Sequence, residues 1–170
     1  MPSGKEKNPK EGELRGCIGT FSKQPLKKNL PLYSYISAFE DTRFTPITMK
    51  EVPQLCCTVS LLQNFEKIKD PLDWTVGTHG IEIHFSHKGM DYSGTFLPEV
   101  APAQGWDQTT TLRYLIQKAG YVGSFESVKD KMKTERYQSA LHTVSYEEYL
   151  AFLDKNEDLF KVSDKLLSKY

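Results

Sequence analysis

The stretch LRGCIGTF, at residues 14–21, is where we expect ordered structure to begin. Its apolar residues favour a β-strand, in which Arg15 and Cys17 share one face because successive side chains alternate. Two residues of strand span about 7 Å, within reach of an arginine side chain. A guanidinium beside a thiol favours the reactive thiolate. Gly16 and Gly19 leave both flanks without side chains, so a ligand or another backbone could approach closely.

A structural interpretation of the same residues stays open. A cysteine between apolar residues is usually a small buried side chain, and glycines within a strand often mark a bulge. Cys17 is therefore either a candidate nucleophile or part of the core. The sequence has no phosphate-binding loop, because neither the glycine spacing nor the adjoining lysine of that motif is present.

Composition restricts the class of protein. The 170 residues are enough for one domain, and the 22 basic residues balance the 22 acidic ones, which argues against nucleic acid as a partner. Three cysteines, with Cys56 and Cys57 adjacent, predict neither a disulfide framework nor a thiolate zinc site. No stretch is apolar enough for a signal peptide or a membrane span, so we expect an intracellular protein, cytoplasmic or nuclear, without membrane contact.

The hydrophobic pattern predicts an α+β fold with an antiparallel sheet and packed helices. Residues 1–13 are expected to be a disordered polar tail, 14–155 the folded domain and 156–170 a helical extension. The expected elements are a helix capped by Asn29 that ends near Asp41 and buries Tyr33, Ile36, Ala38 and Phe39, strands at 55–62, 81–86, 91–97 and 136–144, a helix from Asp107 to Gly120, a helix capped by Ser145, and an amphipathic helix at 159–170.

The segment LPEVAPAQGWD, at residues 97–107, is predicted to be an irregular connection that carries site residues. Glu99 lies between apolar neighbours that would desolvate it and raise its pKa, which makes it the candidate general base. Trp106 and Asp107 are candidate binding residues. Each has a structural alternative: Glu99 is solvated, Trp106 covers the core and Asp107 caps the following helix.

Arg43 is a further candidate for the binding site. In the sequence DTRF it serves either as an anion clamp or as a cation at the helix terminus that pairs with Asp41. The four histidines do not predict a metal site, because His84 and His87 fall on opposite faces of a strand and no pair has the i, i+4 spacing of a helix. We expect neither a metal nor a cofactor.

Several segments in order resemble the AMMECR family, named for the Alport syndrome, intellectual disability, midface hypoplasia and elliptocytosis chromosomal region. These segments, which run from residue 14 to about residue 153, are LRGCIGTF, DTRFTPIT, LDWTVGTHGIEI, FLPEVAPAQGWD, KAGY and RYQSALHTVSYEEYL. The resemblance implies two lobes around a cleft lined by LRGCIG. It assigns no biochemical activity, although prokaryotic relatives of the family occur beside or fused to Memo-type and radical-SAM proteins, an association that suggests an enzyme pathway.

The family motifs include the candidate residues without assigning them roles: Arg15, Gly16, Cys17, Gly19, Arg43, Glu99, Trp106 and Asp107. Two departures weaken a transfer of function. Ala103 stands where family members usually carry an acidic residue, so a carboxylate pair with Glu99 cannot operate. Family members also have a helix and a strand ahead of LRGCIG, where this sequence has a polar tail and apparently lacks both.

Two hypotheses follow. In the first, the chain is a small enzyme or enzyme subunit in which Arg15 activates Cys17 and Glu99 moves protons on an unknown small molecule. In the second, it is a non-catalytic interaction or adaptor module in which the glycine-flanked segment and the Trp106 loop form a groove for a protein or peptide. A buried Cys17 without polar neighbours would count against the first.

Overall fold

The structure, a computed structural model, describes residues 12–156 and confirms an α+β fold with an antiparallel four-stranded sheet. In chain order, the elements are α1 (Leu26–Phe39), β1 (Cys56–Ile68), β2 (Gly80–His87), β3 (Met90–Phe96), α2 (Val100–Gln104), α3 (Gln108–Lys118), β4 (Lys133–Ser145) and α4 (Tyr146–Lys155). The strand order is β1-β4-β2-β3. Within the described residues the chain forms two compact units: the first comprises 12–59 and 142–156, and the second comprises 60–141.

Strands β2 and β3 form an antiparallel hairpin with a two-residue turn. His87 pairs with Met90, and the turn residues Lys88 and Gly89 have φ values of 50° and 77°. Positive φ at both positions is the geometry that matches the twist of an antiparallel hairpin. Glycine adopts a positive φ without strain, which suits Gly89 to this turn. β3 begins at Met90, one residue before its predicted start at residue 91.

The core of the second unit is built on one face of β2. Ile81, Ile83 and Phe85 are 1%, 0% and 4% exposed, while His84 between them is exposed, as the period-two pattern predicts. α3 supplies the opposing side chains Leu112, Leu115 and Ile116, all buried. This core is therefore a helix packed on a sheet face, in agreement with the predicted class.

Both ends of α3 have the predicted caps. The Asp107 carboxylate accepts a hydrogen bond from the Thr110 amide at 2.7 Å, which satisfies a free N–H of the first turn. Gly120 follows the last turn with φ 86°, the left-handed conformation that terminates many helices. The preceding connection is more regular than expected, because residues 100–104 form α2, which ends at the left-handed Gly105.

Tyr137 of β4 is fully buried and fixes the junction of three strands. Its hydroxyl lies 2.8 Å from Thr95 Oγ1 and donates to the Phe96 carbonyl at 3.0 Å, and burial raises its pKa to about 12. Its ring passes so close to Gly80 that a Cβ there would lie 2.5 Å from a ring carbon. Gly80 is therefore needed to let the tyrosine ring lie across β2.

The structure corrects the expected strand at residues 14–21, which form no strand. The amides of Cys17 and Ile18 donate to the side chains of Asp41 and Ser37 rather than to a neighbouring strand. A strand requires paired backbone groups on an adjacent strand, and here side chains have taken that role. The predicted alternation of Arg15 and Cys17 on one face consequently does not apply.

The first helix also differs from its prediction. α1 begins at Leu26, because the Pro25 carbonyl accepts hydrogen bonds from the amides of Lys28 and Asn29; Asn29 thus lies inside the helix, as does Pro31. α1 has no buried residue, and Phe39 is 46% exposed. The burial expected for its apolar side chains is therefore wrong for Phe39 and only partial for Tyr33, Ile36 and Ala38.

Two strands are longer than predicted. β1 continues to Ile68, past the expected end at residue 62, and β4 begins at Lys133. The capping box of Ser145 and Glu148 at the start of α4 is confirmed. Residues 1–11 and 157–170, which include most of the predicted tail and the predicted helix at 159–170, lie outside the described residues. No helix in the described part of the chain has the length and apolar character to cross a membrane.

Candidate functional site

The peptide groups of Cys17 are held from both sides. Its amide donates to Asp41 Oδ2 at 2.9 Å, and its carbonyl accepts from Arg43 Nη2 at 2.8 Å. Asp41 and Arg43 follow the C-terminal end of α1, so that end of the helix determines where Cys17 lies. Asp41 and Arg43 of the sequence DTRF therefore hold the backbone of LRGCIG, and we call this pair of residues the clamp.

The next residue is held by α1 itself. Ser37 Oγ accepts from the Ile18 amide at 2.9 Å and donates to the Ile18 carbonyl at 3.3 Å. Gly16 allows this close approach, because a Cβ at that position would lie only 1.8 Å from the Ser37 carbonyl oxygen. Segment 16–18 therefore packs backbone against backbone on the last turns of α1, which no other residue type at position 16 permits.

Asp41 is the central charge of the clamp. Its two oxygens accept from Arg43 Nε at 2.9 Å and Arg43 Nη2 at 2.7 Å, and the residue is only 6% exposed. The Arg43 guanidinium and the Cys17 amide hold the pKa of Asp41 well below its ordinary value. Asp41 in turn raises the pKa of Arg43, with a smaller contribution from Cys17. Among the described residues of the first unit, Asp41 is the one buried residue.

Arg15 is engaged elsewhere, contrary to the expectation that it lies beside the thiol. Its Nε donates to Glu51 Oε1 at 2.8 Å and its Nη2 to the Thr45 carbonyl at 3.2 Å. Glu51 also accepts from the amide and the hydroxyl of Thr48, both at 2.8 Å. Arg15 thus ties segment 14–21 to the loop ahead of β1, while Arg43 is the cation that donates to the Cys17 carbonyl.

The face of the segment away from these tethers is open. Cys17 is an exposed free thiol, so the burial that would argue against its reactivity is not found. Leu14 is 55% and Ile18 37% exposed, and a Cβ at Gly19 would meet nothing within 4 Å. The segment therefore exposes a thiol and two apolar side chains to solvent. Its backbone is held by Ser37, Asp41 and Arg43, and Glu51 holds the segment through Arg15.

The other candidate residues belong to the second unit, and their surroundings favour structural roles. Glu99 is exposed at the start of α2, so the expected desolvation by its neighbours is absent. Trp106 is half-buried and stacks on Tyr114 with ring centroids 4.2 Å apart. Asp107 caps α3, and its hydrogen bonds from Thr110 lower its pKa. Two surface pockets of this unit, one lined by Arg113 and Phe125 and the other by Glu66 and Arg136, contain none of these residues.

Sequence reasoning identified the clamp only in part. The pairing of Arg43 with Asp41 was one of its two alternatives, and it is the one observed. Ser37, Thr45 and Glu51 were missed as partners of LRGCIG. Their roles depend on contacts 19 to 36 residues apart in sequence, and a serine on a helix or a threonine or glutamate on a loop carries no local signal of such contacts. Within residues 12–156, no three His, Cys, Asp or Glu side chains form a group that could hold a metal.

We expect Glu51→Gln to lower the stability of the chain in a pH-dependent way, because it removes the ion pair with Arg15. Hydrogen bonds from Arg15 and Thr48 lower the pKa of Glu51 from 4.5 to about 2. A depressed carboxyl pKa stabilises the folded state fully above the ordinary pKa and progressively less as pH falls through the folded value. In thermal unfolding, the melting temperature of the wild type should therefore exceed that of the variant most at pH 6, and the difference should shrink below pH 4.5 and vanish below pH 2. A difference independent of pH would contradict the ion pair.

Comparison with known proteins identifies the family of the chain, and the matched region contains the site. The AMMECR1 family model matches residues 6–142, which include the LRGCIG segment, its clamp and the candidate residues of the second unit. The chain is 50% identical to the uncharacterized protein C688.03c of Schizosaccharomyces pombe, over 84% of this chain and 72% of that protein. It is 42% identical to the uncharacterized protein YOR289W of Saccharomyces cerevisiae, over 80% of this chain and 60% of that protein.

A solved structure shares the fold. The crystal structure of the uncharacterized protein PH0010 from Pyrococcus horikoshii superposes with a TM-score of 0.62 at 27% identity, over 81% of this chain and 68% of that one. The chain spans less than two thirds of the budding-yeast relative and somewhat more of the other two. Because the family model accounts for most of the chain and the relatives agree over four fifths of it, the chain belongs to the AMMECR1 family.

Proposed function

We propose that this AMMECR1-family chain is a non-catalytic interaction module, and that residues 14–19 bind a protein or peptide partner. One observation carries the proposal: the charged groups of the motif are used to hold the segment and not to serve the thiol. Asp41 and Arg43 satisfy each other and the backbone of Cys17, and Arg15 is paired with Glu51.

A held backbone favours binding because it has little freedom left to lose. Ordering a residue costs about 1–2 kcal/mol of conformational free energy, and a segment that is already ordered avoids that cost when a partner docks. The amides of Cys17 and Ile18 and both of their carbonyls are bonded inward. Recognition would therefore use side chains, with Leu14 and Ile18 as apolar contacts around the thiol.

In this proposal the residues of the motif divide between two tasks. Gly16, Arg15 and Arg43 position the segment, whereas Cys17, Ile18 and the open surface at Gly19 meet the partner. Trp106 and Asp107 are left out, because stacking on Tyr114 and capping of α3 account for them.

The proposal can be tested by selecting peptides from a displayed random library on the immobilised chain. The target is a Cys56→Ser, Cys57→Ser chain, which retains Cys17 as its single cysteine. We expect the enriched peptides to lose at least tenfold in affinity for Ile18→Asp and to be blocked when Cys17 carries a bulky maleimide. The matched control is a Cys17→Ser, Cys56→Ser chain, in which a maleimide on the exposed Cys57 should leave the affinity equal to that of the same chain without the label. Peptides indifferent to both changes at residues 17 and 18 would refute the proposal.

A second candidate function rests on a separate observation. The Arg43 guanidinium donates to the Cys17 carbonyl at 2.8 Å, so this cation is held next to the residue that carries the exposed thiol. A small enzyme with Cys17 as nucleophile would need that cation to stabilise the thiolate. Arg43 would then replace Arg15 in the role of activating residue.

Alkylation against pH separates the two functions. Site-resolved mass spectrometry of the folded chain measures the midpoint for Cys17, with the exposed Cys57 as internal control. The interaction module requires no activated thiol, so it predicts the same alkylation midpoint for Cys17 as for Cys57. A midpoint for Cys17 at least about one unit lower would favour the enzyme instead.

A further inference from the structure

A small cavity lies between α3 and the loop that follows this helix. It has a volume of about 270 Å³ and is partly open to solvent. α3 contributes Arg113, Ile116 and Gln117 to its lining, and the loop contributes residues 123–126. Cavities that hold drug-sized ligands start at about 300 Å³, so this one has room for a smaller molecule. It belongs to the second unit and includes no residue of the LRGCIG segment.

The cavity combines an apolar floor with two opposite charges. Ile116 and Phe125 line it and are only 1% and 3% exposed, so they form the floor. Arg113 on α3 and Glu126 on the loop are both exposed. Within residues 12–156, neither of these side chains has a hydrogen bond or an ion pair, so the two charges are not paired with each other. A cation and an anion above an apolar floor are complementary to a small ligand that carries both charges and an apolar body.

The polar groups of the cavity are available to such a ligand. Arg113 contributes, after the hydrogen bonds from Thr110, to the lowered pKa of Asp107 but does not donate to its carboxylate. Among the described residues, the side chains of Gln117 and Ser124 also have no hydrogen-bond partner. Gln117 follows Arg113 by four residues, so the two side chains share one face of α3. The helix wall therefore offers donors to a carboxylate, and the loop offers acceptors to an ammonium.

We propose that this cavity binds a free α-amino acid with an apolar side chain. The carboxylate of the ligand binds Arg113 and Gln117, and its ammonium binds Glu126. Its side chain packs on Ile116 and Phe125. A residue inside a peptide carries neither charge, and a residue at the end of a peptide carries only one of them, so a free amino acid matches both walls.

The loop wall is already fixed without a ligand. The Tyr121 hydroxyl lies 2.9 Å from Ser127 Oγ, which donates to the Ser124 carbonyl at 2.6 Å. The Tyr121 ring also packs against the backbone of Gly123, where a Cβ would lie 2.6 Å from a ring carbon. These contacts hold the loop against the core, and a site formed in advance loses little freedom when a ligand binds.

An NMR titration of the isotope-labelled full chain tests the proposal with three probes of similar size. We expect L-leucine at millimolar concentration to give saturable shifts in the amides of residues 113–117 and 123–126. N-acetyl-L-leucine lacks the ammonium and L-leucinamide lacks the carboxylate. Each should bind at least about tenfold more weakly than L-leucine, because each loses one charged contact.

Substitutions assign each charge to its wall. Arg113→Gln should weaken L-leucine at least about tenfold without weakening L-leucinamide, and Glu126→Gln should weaken L-leucine without weakening N-acetyl-L-leucine. Lys131→Gln and Asp130→Asn are the matched controls, since both residues are exposed in the same unit and neither lines the cavity. Both control variants should bind L-leucine like the wild type.

Three results would overturn the proposal. The first is the absence of saturable shifts at residues 113–117 and 123–126 with L-leucine. The second is equal binding of L-leucine and one of its two derivatives, which would make the cavity a site for a single charge. The third is a loss of binding in the control variants as large as the loss in Arg113→Gln and Glu126→Gln.

Discussion

Gly16→Ala is expected to detach the LRGCIG segment from α1. The added Cβ would lie 1.8 Å from the Ser37 carbonyl oxygen and 2.9 Å from the Ser37 carbonyl carbon, and both are helix backbone atoms that cannot rotate away. Relief requires the segment to move outward, which breaks the hydrogen bonds that the amides of Ile18 and Cys17 donate to Ser37 and Asp41. Overpacking of this kind costs about 1–3 kcal/mol, and more where backbone meets backbone.

The matched control is Gly19→Ala in the same segment. A Cβ there meets no atom within 4 Å, and the residue does not require positive φ, so the change should be neutral or stabilise the chain by about 0.4–1 kcal/mol. Urea unfolding measures both variants, and amide exchange at residues 17 and 18 reports the local detachment. Equal effects of the two substitutions would show that the contact with Ser37 does not limit the site. Gly16→Ala should also abolish binding of the selected peptides.

Ile83→Ala is expected to destabilise the second unit strongly. Ile83 is fully buried on β2, between Gly94 of β3 and Thr134 of β4, so its surroundings cannot easily collapse into the space it leaves. Truncation of a buried isoleucine to alanine typically costs about 2–5 kcal/mol, through lost apolar burial and the cavity that remains.

His84→Ala, the next residue of β2, is the control for this prediction. His84 lies on the opposite face, where its ring is 3.0 Å from Glu82 at the surface. Exposed pairs of this kind contribute at most about 1 kcal/mol, so the control should remain close to the wild type. Chemical denaturation followed by tryptophan fluorescence is a suitable measurement, because Trp74 belongs to the same core. A loss in His84→Ala equal to that in Ile83→Ala would contradict the assignment of the two faces.

The elements predicted most accurately are those whose signals are local. The period-two pattern of β2 and the apolar stripe of α3 each describe a face that packs on the other, and both were found. The caps at Asp107, Gly120 and Ser145 are also local, since each satisfies backbone groups within three or four residues. The family could also be recognised from local signals, because several short motifs in the same order identify a homologue.

The LRGCIG segment shows where local signals fail. Its apolar and small residues predicted a strand, and a strand forms only when a neighbouring strand supplies hydrogen bonds. Here Asp41 and Ser37 supply them, and these partners are 24 and 19 residues away in sequence. The strand geometry on which the predicted pairing of Arg15 with Cys17 depended is therefore absent, and Arg15 donates to Glu51.

The sequence by itself determined the α+β class, the β2–β3 hairpin, the faces of β2 and α3, and the family to which the chain belongs. Only the tertiary structure decided that Asp41 and Arg43 clamp Cys17, that Arg15 pairs with Glu51 and that Gly16 lies against Ser37. The physical reason is that helix and strand faces follow from the spacing of neighbouring residues. The partner of a charged side chain depends instead on which distant backbone and side-chain atoms folding brings within about 3 Å.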